Sequence, residues 1–357
     1  MDSSLHATGS PALSSSGQSP IEPSGVAIGE KPGAVKGAVE AGIVQASDMR
    51  VDAVVFSNPR EISVREVEIE NPDEGDVVVD MIWSGISTGT ERLLWSGEMP
   101  PFPGMGYPLV PGYEGVGRIA QAPSRSDLEG KLVFVPGTRR FKNIAGLFGA
   151  TASRLTVEQE RAVLLPEHAD KEATLLALAA TAYHAIVGGM PPDLVIGHGV
   201  LGRLIARLTI ALGHEAPNVW ENNPERDHSN RYAVLSEEID GRNDYQSIYD
   251  VSGDSEILDT LVGRLAPGGE IVLAGFYPNR LSFGFAPFFM KEARVRAAAE
   301  WTRADMDAVC ALYTEGRLDL SGLVTHALPA QNAVTAYETA FQDPTCLKMI
   351  LDWSGNA

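Results

Sequence analysis

One glycine-rich turn between an apolar strand and an amphipathic helix constrains the fold of this chain more than any other feature. We predict a short strand at 194–196, followed by Gly-His-Gly-Val-Leu-Gly at 197–202. Apolar residues then recur with helical periodicity to about Leu212, and Gly213 is a typical residue for the end of a helix. A strand, a G-x-G-x-x-G turn and a helix in this order predict a Rossmann domain, a doubly wound parallel sheet that binds a dinucleotide.

Each glycine of the turn has its own physical role. Gly197 permits the tight turn, Gly199 lets the backbone approach a pyrophosphate, and Gly202 lets the helix pack closely on the strand. Glu221 follows the next predicted strand, at the position where a carboxylate accepts hydrogen bonds from an adenosine ribose. Because that carboxylate would repel a 2′-phosphate, we expect NAD rather than NADP. His198 is interpreted as a neighbour of the phosphates or a turn residue.

The α/β pattern continues in SIYDVSGDSEILDTLVGRLAPGGEIVLAGFYP, which predicts a strand, a helix, a Pro-Gly-Gly turn and another strand. Ligands of such folds bind at the carboxyl ends of parallel strands. The predicted cofactor-binding residues are Thr181, Gly197, Gly199, Val200, Leu201, Gly202, Glu221, Asn222, Ser252, Gly275 and Phe276.

The remainder of the chain divides into three regions by composition. Residues 1–48 are rich in Ser, Gly and Pro and contain no aromatic residue, so we expect a disordered extension that catalysis does not need. From Val51 to Pro166, short apolar stretches separated by Asn, Pro, Asp and Gly predict a β-rich domain. Helical periodicity then begins in KEATLLALAATAYHAIVGG.

Composition excludes several classes of partner. The 357 residues include 47 acidic and 28 basic ones, a net charge of −19, which makes nucleic acid an unfavourable partner. Two cysteines, Cys310 and Cys346, are too few for a disulfide framework, so we expect the cytoplasm. The uncharged stretch 173–192 is interpreted as a buried helix and a turn, not as a membrane span. A homo-oligomer is compatible with all of these features.

Nearly everything after residue 50 resembles the medium-chain dehydrogenase/reductase superfamily. The resemblance rests on VPGYEGVGRI, LLALAATAYHAI, the glycine turn, LAPGGEIVLAGF and the closing LPAQNAVTAYETAFQDPTCLKMILDW. It implies a GroES-like catalytic domain at 49–166, an inserted Rossmann NAD-binding domain at 167–300, and a return segment at 301–357 that completes the catalytic domain.

Two longer stretches are similar to one zinc-free family within that superfamily, the bacteriochlorophyllide a dehydrogenases. They read WSGISTGTERLLWSGEMPPFPGMGYPLVPGYEG and GHGVLGRLIARLTIALGHEAPNVWENNPER. The resemblance implies NAD-dependent oxidation of the 3-(1-hydroxyethyl) group of a bacteriochlorophyllide, a tetrapyrrole, to a 3-acetyl group in bacteriochlorophyll a biosynthesis.

The same resemblance locates the catalytic residues and argues against zinc. Zinc-dependent relatives place a Cys and a Gly-His-Glu motif beside the metal, where this chain has Ser87 and Gly112-Tyr113-Glu114. Neutral Ser and Tyr are poor zinc ligands, so we predict a metal-free site. Ser87, Thr88, Glu91 and Tyr113 are the predicted catalytic residues, acting as a proton relay. Each has a structural alternative, since such residues also cap turns or pack.

Two apolar segments and one basic cluster are candidates for contact with the substrate. MPPFPGMGYP at 99–108 and FGFAPFFM at 283–290 could line an apolar cleft for a flat tetrapyrrole, although ordinary core packing explains them equally well. Arg139, Arg140 and Lys142 could bind a substrate propionate, or they could form a solvated loop.

Two other functions fit the sequence. A zinc-free quinone or enoyl reductase would prefer NADPH, and Arg226 is the basic residue near the end of the second strand that could favour its phosphate. A catalytically silent protein would bind the nucleotide and act only as a partner of other proteins.

Overall fold

The structure is a computed structural model, and it describes residues 49–101, 104–226 and 228–356. The predicted extension at 1–48 lies outside the described residues. The strands are β1 Met49–Asn58, β2 Glu61–Ile69, β3 Asp76–Ile86, β4 Leu109–Pro111, β5 Gly115–Gln121, β6 Leu132–Val135, β7 Ala145–Leu147, β8 Arg154–Glu158, β9 Val163–Leu164, β10 Leu194–Ile196, β11 Asn218–Trp220, β12 Val234–Leu235, β13 Tyr245–Asp250, β14 Leu265–Leu273, β15 Arg294–Ala297, β16 His326–Pro329 and β17 Met349–Asp352.

The α-helices are α1 Thr90–Ser96, α2 Leu176–Val187, α3 Val200–Ala211, α4 Leu258–Arg264, α5 Phe285–Met290, α6 Arg303–Thr314 and α7 Ala333–Gln342. The uncharged stretch at 173–192 contains α2, which is only 12 residues long. In the described part of the chain, every helix is too short or too polar to cross a membrane.

The middle of the chain folds into a six-stranded parallel sheet in the order β12-β11-β10-β13-β14-β15. Counted along the chain this order is 3-2-1-4-5-6, the arrangement of a Rossmann fold. One face packs against α2, α3 and α6, and the other contributes to a core that includes α4. The strand order reverses between β10 and β13, so a ligand site is expected at the carboxyl ends of these two strands.

The β-rich part consists of a four-stranded sheet, β2-β1-β4-β7, and a seven-stranded sheet built around β3. The chain returns to this part at its end, because β17 pairs antiparallel with β3, from Met349 opposite Ile86 to Asp352 opposite Trp83. The predicted boundaries at residues 166 and 300 stay predictions. Within the predicted return segment, α6 packs with the parallel sheet, whereas α7 and β17 pack with the β-rich part.

The glycine turn adopts the geometry that its sequence predicts. Gly197 has φ +98°, a left-handed conformation that suits glycine. A Cβ on Gly202 would lie 1.9 Å from the carbonyl oxygen of Gly197, which explains why α3 can approach the end of β10 only with glycine at this position. α3 ends at Ala211, one residue before the predicted end, and Gly213 has φ +87°.

Candidate active site

Two adjoining cavities lie along the carboxyl ends of β10 and β13. The smaller has a volume of about 590 Å³ and the larger about 1020 Å³. They share lining residues from both halves of the fold: Thr88, Gly89, Gly199, Val200, Val251, Ser252 and Leu347. The pair of cavities can therefore hold one extended ligand that passes the glycine turn and ends beside the β-rich part.

The first turn of α3 is open to an anion. Gly199 is the N-cap residue of α3 and supplies no side chain to cap the first N–H groups. A Cβ built on Gly199 would have no neighbouring heavy atom within 4 Å. Free N–H groups at a helix start, beside open space, form a site that suits a pyrophosphate.

Glu221 lines the smaller cavity and is held rigidly by backbone N–H groups. Its Oε2 accepts a hydrogen bond from the backbone N–H of His198 at 3.0 Å, and its Oε1 accepts from those of Asn222 and Asn223 at 2.9 and 2.8 Å. These bonds fix an acidic edge on the wall of the smaller cavity. Such an edge suits a ribose with free hydroxyls and disfavours a phosphate there.

His198 is a structural residue of the turn. Its Nδ1 lies 2.5 Å from the carbonyl oxygen of Arg226, and its Nε2 lies 2.8 Å from the hydroxyl of Tyr232. Burial lowers the pKa of His198 to about 4, so the imidazole is neutral at physiological pH. The side chain thereby ties the glycine turn to the loop that follows β11.

Arg226 also lines the smaller cavity, but its guanidinium is already engaged. Its Nε and Nη2 donate to the carbonyl oxygen of Pro344 at 3.1 and 2.9 Å, and Nη2 also donates to that of Cys346 at 3.3 Å. The arginine thus links the loop after β11 to the segment before β17. A guanidinium held in this way is poorly placed to recognise an added phosphate.

Three of the four predicted catalytic residues line the larger cavity: Ser87, Thr88 and Tyr113. The Tyr113 hydroxyl donates to Ser87 Oγ at 2.8 Å, and Ser87 Oγ also accepts from the backbone N–H of Thr90 at 3.3 Å. The proton of Ser87 is used in neither contact, so it is free to bond a ligand oxygen in the cavity. Burial raises the pKa of Tyr113, which keeps the phenol protonated.

Glu91, the fourth predicted catalytic residue, lines neither cavity. Its carboxyl is buried behind Ser87, where Oε1 accepts from the backbone N–H of Ser87 at 3.0 Å and Oε2 accepts from the hydroxyl of Tyr337 at 2.5 Å. Burial raises the pKa of Glu91 to about 7. Glu91 therefore contacts the backbone that carries Ser87, not the cavity itself.

A buried ion pair that the sequence did not predict lies beside these residues. Lys348 Nζ is 2.5 Å from Glu114 Oε2 and donates to the carbonyl oxygen of Ile86 at 3.1 Å. Both side chains are almost fully buried, and Glu114 Oε1 has no hydrogen-bond partner among the described residues. Lys348 also lines the larger cavity. The one feature of the sequence that could have indicated this buried pair is the lysine inside the apolar run CLKMILDW.

All of the predicted cofactor-binding residues line one or both cavities. The smaller cavity is lined by Gly197, Gly199, Val200, Glu221, Asn222 and Ser252. The larger is lined by Thr181, Gly199, Val200, Leu201, Gly202, Ser252, Gly275 and Phe276. This placement gives one continuous path from the acidic edge at Glu221 to the Ser87–Tyr113 pair.

The walls of the larger cavity bear out one of the two apolar candidates and correct the other. Met99, Pro100 and Pro101 line it, as predicted, together with Phe148 and Trp301. The segment at 283–290 does not, because Phe283, Phe285, Phe289 and Met290 lie exposed on or beside α5. Composition alone could not show which way this short helix faces.

Of the two alternatives for the basic cluster at 139–142, the structure favours a loop of the β-rich part over contact with the substrate. Arg140 forms ion pairs with Glu70, Asp73 and Asp76, at 3.1–3.3 Å, and thus bridges loops of the β-rich part. Arg139 and Lys142 are not among the described residues that line either cavity, and neither is Arg140. A role of this cluster in binding a substrate carboxylate is therefore not supported.

The side chains at the would-be metal position do not suit zinc. Ser87 and Tyr113 offer neutral oxygens that already bond to each other, and Glu114 is paired with Lys348. Among residues 49–101, 104–226 and 228–356, no three His, Cys, Asp or Glu side chains come together as a metal site would require. Zinc prefers thiolate, imidazole and carboxylate ligands, so this donor set does not fit it.

Comparison with known proteins gives two close relatives. The chain is 53% identical over 318 residues to a 2-desacetyl-2-hydroxyethyl bacteriochlorophyllide A dehydrogenase of Cereibacter sphaeroides, covering 87% of this chain and 100% of that protein. It is 53% identical over 310 residues to a protein of the same name from Rhodobacter capsulatus, covering 85% of this chain and 99% of the relative. No protein-family model matches the chain.

Solved structures share the fold at low sequence identity. A short chain alcohol dehydrogenase of Escherichia coli CFT073, complexed with NADH, superposes with a TM-score of 0.73 at 20% identity, covering 85% of this chain and 99% of its own. This similarity confirms the predicted fold class, a GroES-like β-rich part combined with a doubly wound Rossmann sheet.

Proposed function

The chain belongs to the family of 2-desacetyl-2-hydroxyethyl bacteriochlorophyllide A dehydrogenases, and from this membership we propose that it oxidises the hydroxyethyl group of a bacteriochlorophyllide to an acetyl group, with NAD as hydride acceptor. The shape of the larger cavity supports this function independently of the family. The open turn at Gly199 and the Ser87–Tyr113 hydroxyl pair line the same cavity, so a nucleotide and an alcohol can meet there.

The residues present fit NAD. The N–H groups at the start of α3 would hold the pyrophosphate, and the Glu221 carboxylate would receive the adenosine ribose. Thr181, Gly275 and Phe276, which line the larger cavity, would enclose the nicotinamide end. When bound there, NAD supplies the hydride acceptor. The engaged guanidinium of Arg226 supports NAD over NADPH.

The larger cavity suits a broad apolar substrate. Its walls include the apolar side chains of Met99, Pro101, Leu178, Phe276 and Trp301. A cavity of about 1020 Å³ is at the upper end of the range for small-molecule sites, which leaves room for a broad substrate beside the nicotinamide end of NAD. The macrocycle would lie against these walls with its hydroxyethyl group toward Ser87.

The proton step follows from the hydrogen bonds at Ser87. As hydride leaves the carbinol carbon, the alcohol proton must leave the oxygen. Ser87 Oγ already accepts from Tyr113 and Thr90, so the Ser87 hydroxyl would donate its own proton in a hydrogen bond to the carbinol oxygen and not receive the alcohol proton. Ser and Tyr hydroxyls are weak bases, so the proton must pass on to Thr88 or to water in the cleft. Tyr113 remains the donor to Ser87 Oγ, and Glu91 positions Ser87 through its backbone N–H. No metal is needed in this scheme.

The location and assembly of the protein are also proposals. Both Cys310 and Cys346 are free thiols, and Cys346 is buried, which supports a reducing compartment such as the cytoplasm. A homo-oligomer stays a prediction.

Turnover of the purified substrate tests the function. The full chain, mixed with hydroxyethyl-bacteriochlorophyllide and NAD, should form NADH and shift the absorption of the macrocycle as the acetyl group conjugates with it. NADP should be a much poorer acceptor. Reduction of quinones or enones by NADPH, without alcohol oxidation, would favour the reductase alternative, and nucleotide binding without any turnover would favour the silent partner.

Single variants test the proton step. Ser87→Ala or Tyr113→Phe should lower kcat at saturating NAD about a hundred-fold, the usual cost of losing an acid–base group. Thr88→Val should have a smaller effect if water can replace it. Ser153→Ala is the matched control, because its hydroxyl bonds the backbone of Asp52 away from the cleft. Rates near wild type for both Ser87→Ala and Tyr113→Phe would rule out the relay.

A further inference from the structure

Two arginines on the lining of the larger cavity are also exposed to solvent, Arg161 by 41% and Arg303 by 56% of their side chains. Arg161 ends the short 3-10 turn Gln159–Arg161 after β8, and Arg303 is the first residue of α6. We propose that these two residues, the rim arginines, bind the free propionate carboxylate of the substrate and so select the free acid over its esters. The inference rests on the proposed function and adds the group by which the substrate is recognised.

The fold brings the rim arginines together although they are far apart in the sequence. Arg303 Nη1 donates to the backbone carbonyl of Glu160, the residue directly before Arg161. This bond ties the start of α6 to the turn after β8. Two guanidiniums on adjacent segments can therefore face one carboxylate, which planar guanidinium groups bind with paired N–H donors.

Both rim arginines can exchange their present partners for a ligand. Arg161 pairs with Glu158 at 3.5 Å and Arg303 with Asp307 at 2.8 Å, and these side chains are 41–56% exposed. Exposed ion pairs contribute little to stability, so a substrate carboxylate can displace them. The other cation on the lining, Lys348, is bound to Glu114 and buried.

Acidic neighbours limit where the carboxylate can bind. Glu160 and Glu300 also line the larger cavity and would repel a negative group. The carboxylate must therefore lie between the two guanidiniums rather than anywhere on the rim. The apolar walls would hold the macrocycle. The contact of the carboxylate with the rim arginines would fix the orientation of the macrocycle, so that the hydroxyethyl group faces Ser87.

Esterification of the propionate tests the inference. With saturating NAD, the wild type should turn over the free acid with a kcat/KM about ten-fold or more above that of the propionate methyl ester, the effect of one charge-assisted contact at a partly exposed site. The Arg161→Gln/Arg303→Gln variant should lose this preference, because its kcat/KM for the free acid should fall to about that for the ester, while the KM for NAD should stay that of the wild type.

The control and the contrary outcomes separate the two proposals. Arg317→Gln is the matched control, because Arg317 is exposed, pairs with Glu315 and does not line the cavity. Equal turnover of acid and ester by the wild type, or an unchanged preference in the double variant, would overturn the carboxylate site while leaving the dehydrogenase function intact. If the wild type oxidises neither compound, the proposed function itself fails.

Discussion

Glu91 is an acid that is buried beside the reaction site without access to it. Its two oxygens accept from the Ser87 backbone and the Tyr337 hydroxyl, and burial raises its pKa from 4.5 to about 7. The folded protein therefore binds this proton more tightly than the unfolded chain does. Stability that is fully present below pH 4.5 is lost as the pH rises through about 7.

The Glu91→Gln variant should remove that pH dependence. A glutamine resembles the protonated acid, since its oxygen can accept from Ser87 and its amide can donate to Tyr337. Between pH 5 and 8 the wild type should lose about 2.5 kcal/mol of unfolding free energy relative to the variant. Urea unfolding at several pH values measures the difference. Parallel pH profiles for the two proteins would show that the pKa of Glu91 is not raised.

At the residue scale, the sequence could predict the hydroxyls at the active site but not the buried side chains that hold them in position. Ser87 and Tyr113 belong to two recognisable motifs that flank adjacent strands, and they are indeed hydrogen-bonded. Tyr337 reaches Glu91 across 246 positions, and Lys348 reaches the Ile86 carbonyl across 262. Contacts of this separation depend on how whole sheets assemble, and no local pattern encodes them.

At the scale of elements, the strand–turn–helix unit was predicted closely because its signals are local. β10 begins and ends at the predicted residues, and the open start of α3 follows from the glycines. α5 shows the opposite case, since its aromatic residues have no period that identifies a buried face, and they lie exposed. The Pro-Gly-Gly turn also differs from the prediction, because it lies within β14, which already begins at Leu265. The pairing of β13 with β14 shifts its register at this point.

Two glycines of the turn should respond differently to substitution. Gly202→Ala places a Cβ 1.9 Å from the Gly197 carbonyl oxygen, so α3 must shift, at a cost of about 1–3 kcal/mol of unfolding free energy. Gly199→Val faces open space with φ −71°, so nothing is overpacked, and only the weaker N-cap preference of valine should lower stability, by about 0.5–1 kcal/mol. Denaturant unfolding without nucleotide measures both values.

The same two variants should separate packing from cofactor binding. Gly199→Val should greatly weaken NAD, because the new side chain fills the space beside the first N–H groups of α3. Calorimetric titration of NAD into the folded variant measures this loss. Unchanged NAD affinity in Gly199→Val would mean that the pyrophosphate binds elsewhere.

At the scale of the whole molecule, the end of the chain adds two strands, β16 and β17, to the sheet that contains β3, the strand that ends one residue before Ser87. β17 pairs with β3. Lys348, the residue directly before β17, donates to the Ile86 carbonyl at the end of β3 and pairs with the Glu114 carboxylate. Gly85 makes room for this contact, since a Cβ there would lie 2.0 Å from Glu114 Oε2. The ion pair thus joins the C-terminal strand to the two motifs that hold Ser87 and Tyr113.

Lys348→Met should be strongly destabilising, because it leaves the Glu114 carboxylate buried without a counter-charge and the Ile86 carbonyl without its donor. Breaking a buried pair from one side costs about 3–5 kcal/mol.

Burial already raises the pKa of Glu114, and loss of Lys348 raises it further, so the cost should be larger at pH 8 than at pH 5. The Glu114→Gln/Lys348→Met double variant carries no charge at either position of this pair and should recover more than half of the lost stability. Urea unfolding of both variants at the two pH values measures these differences. A double variant as unstable as the single one, or a single variant within about 1 kcal/mol of wild type, would show that the pair does not hold the C-terminal strand in place.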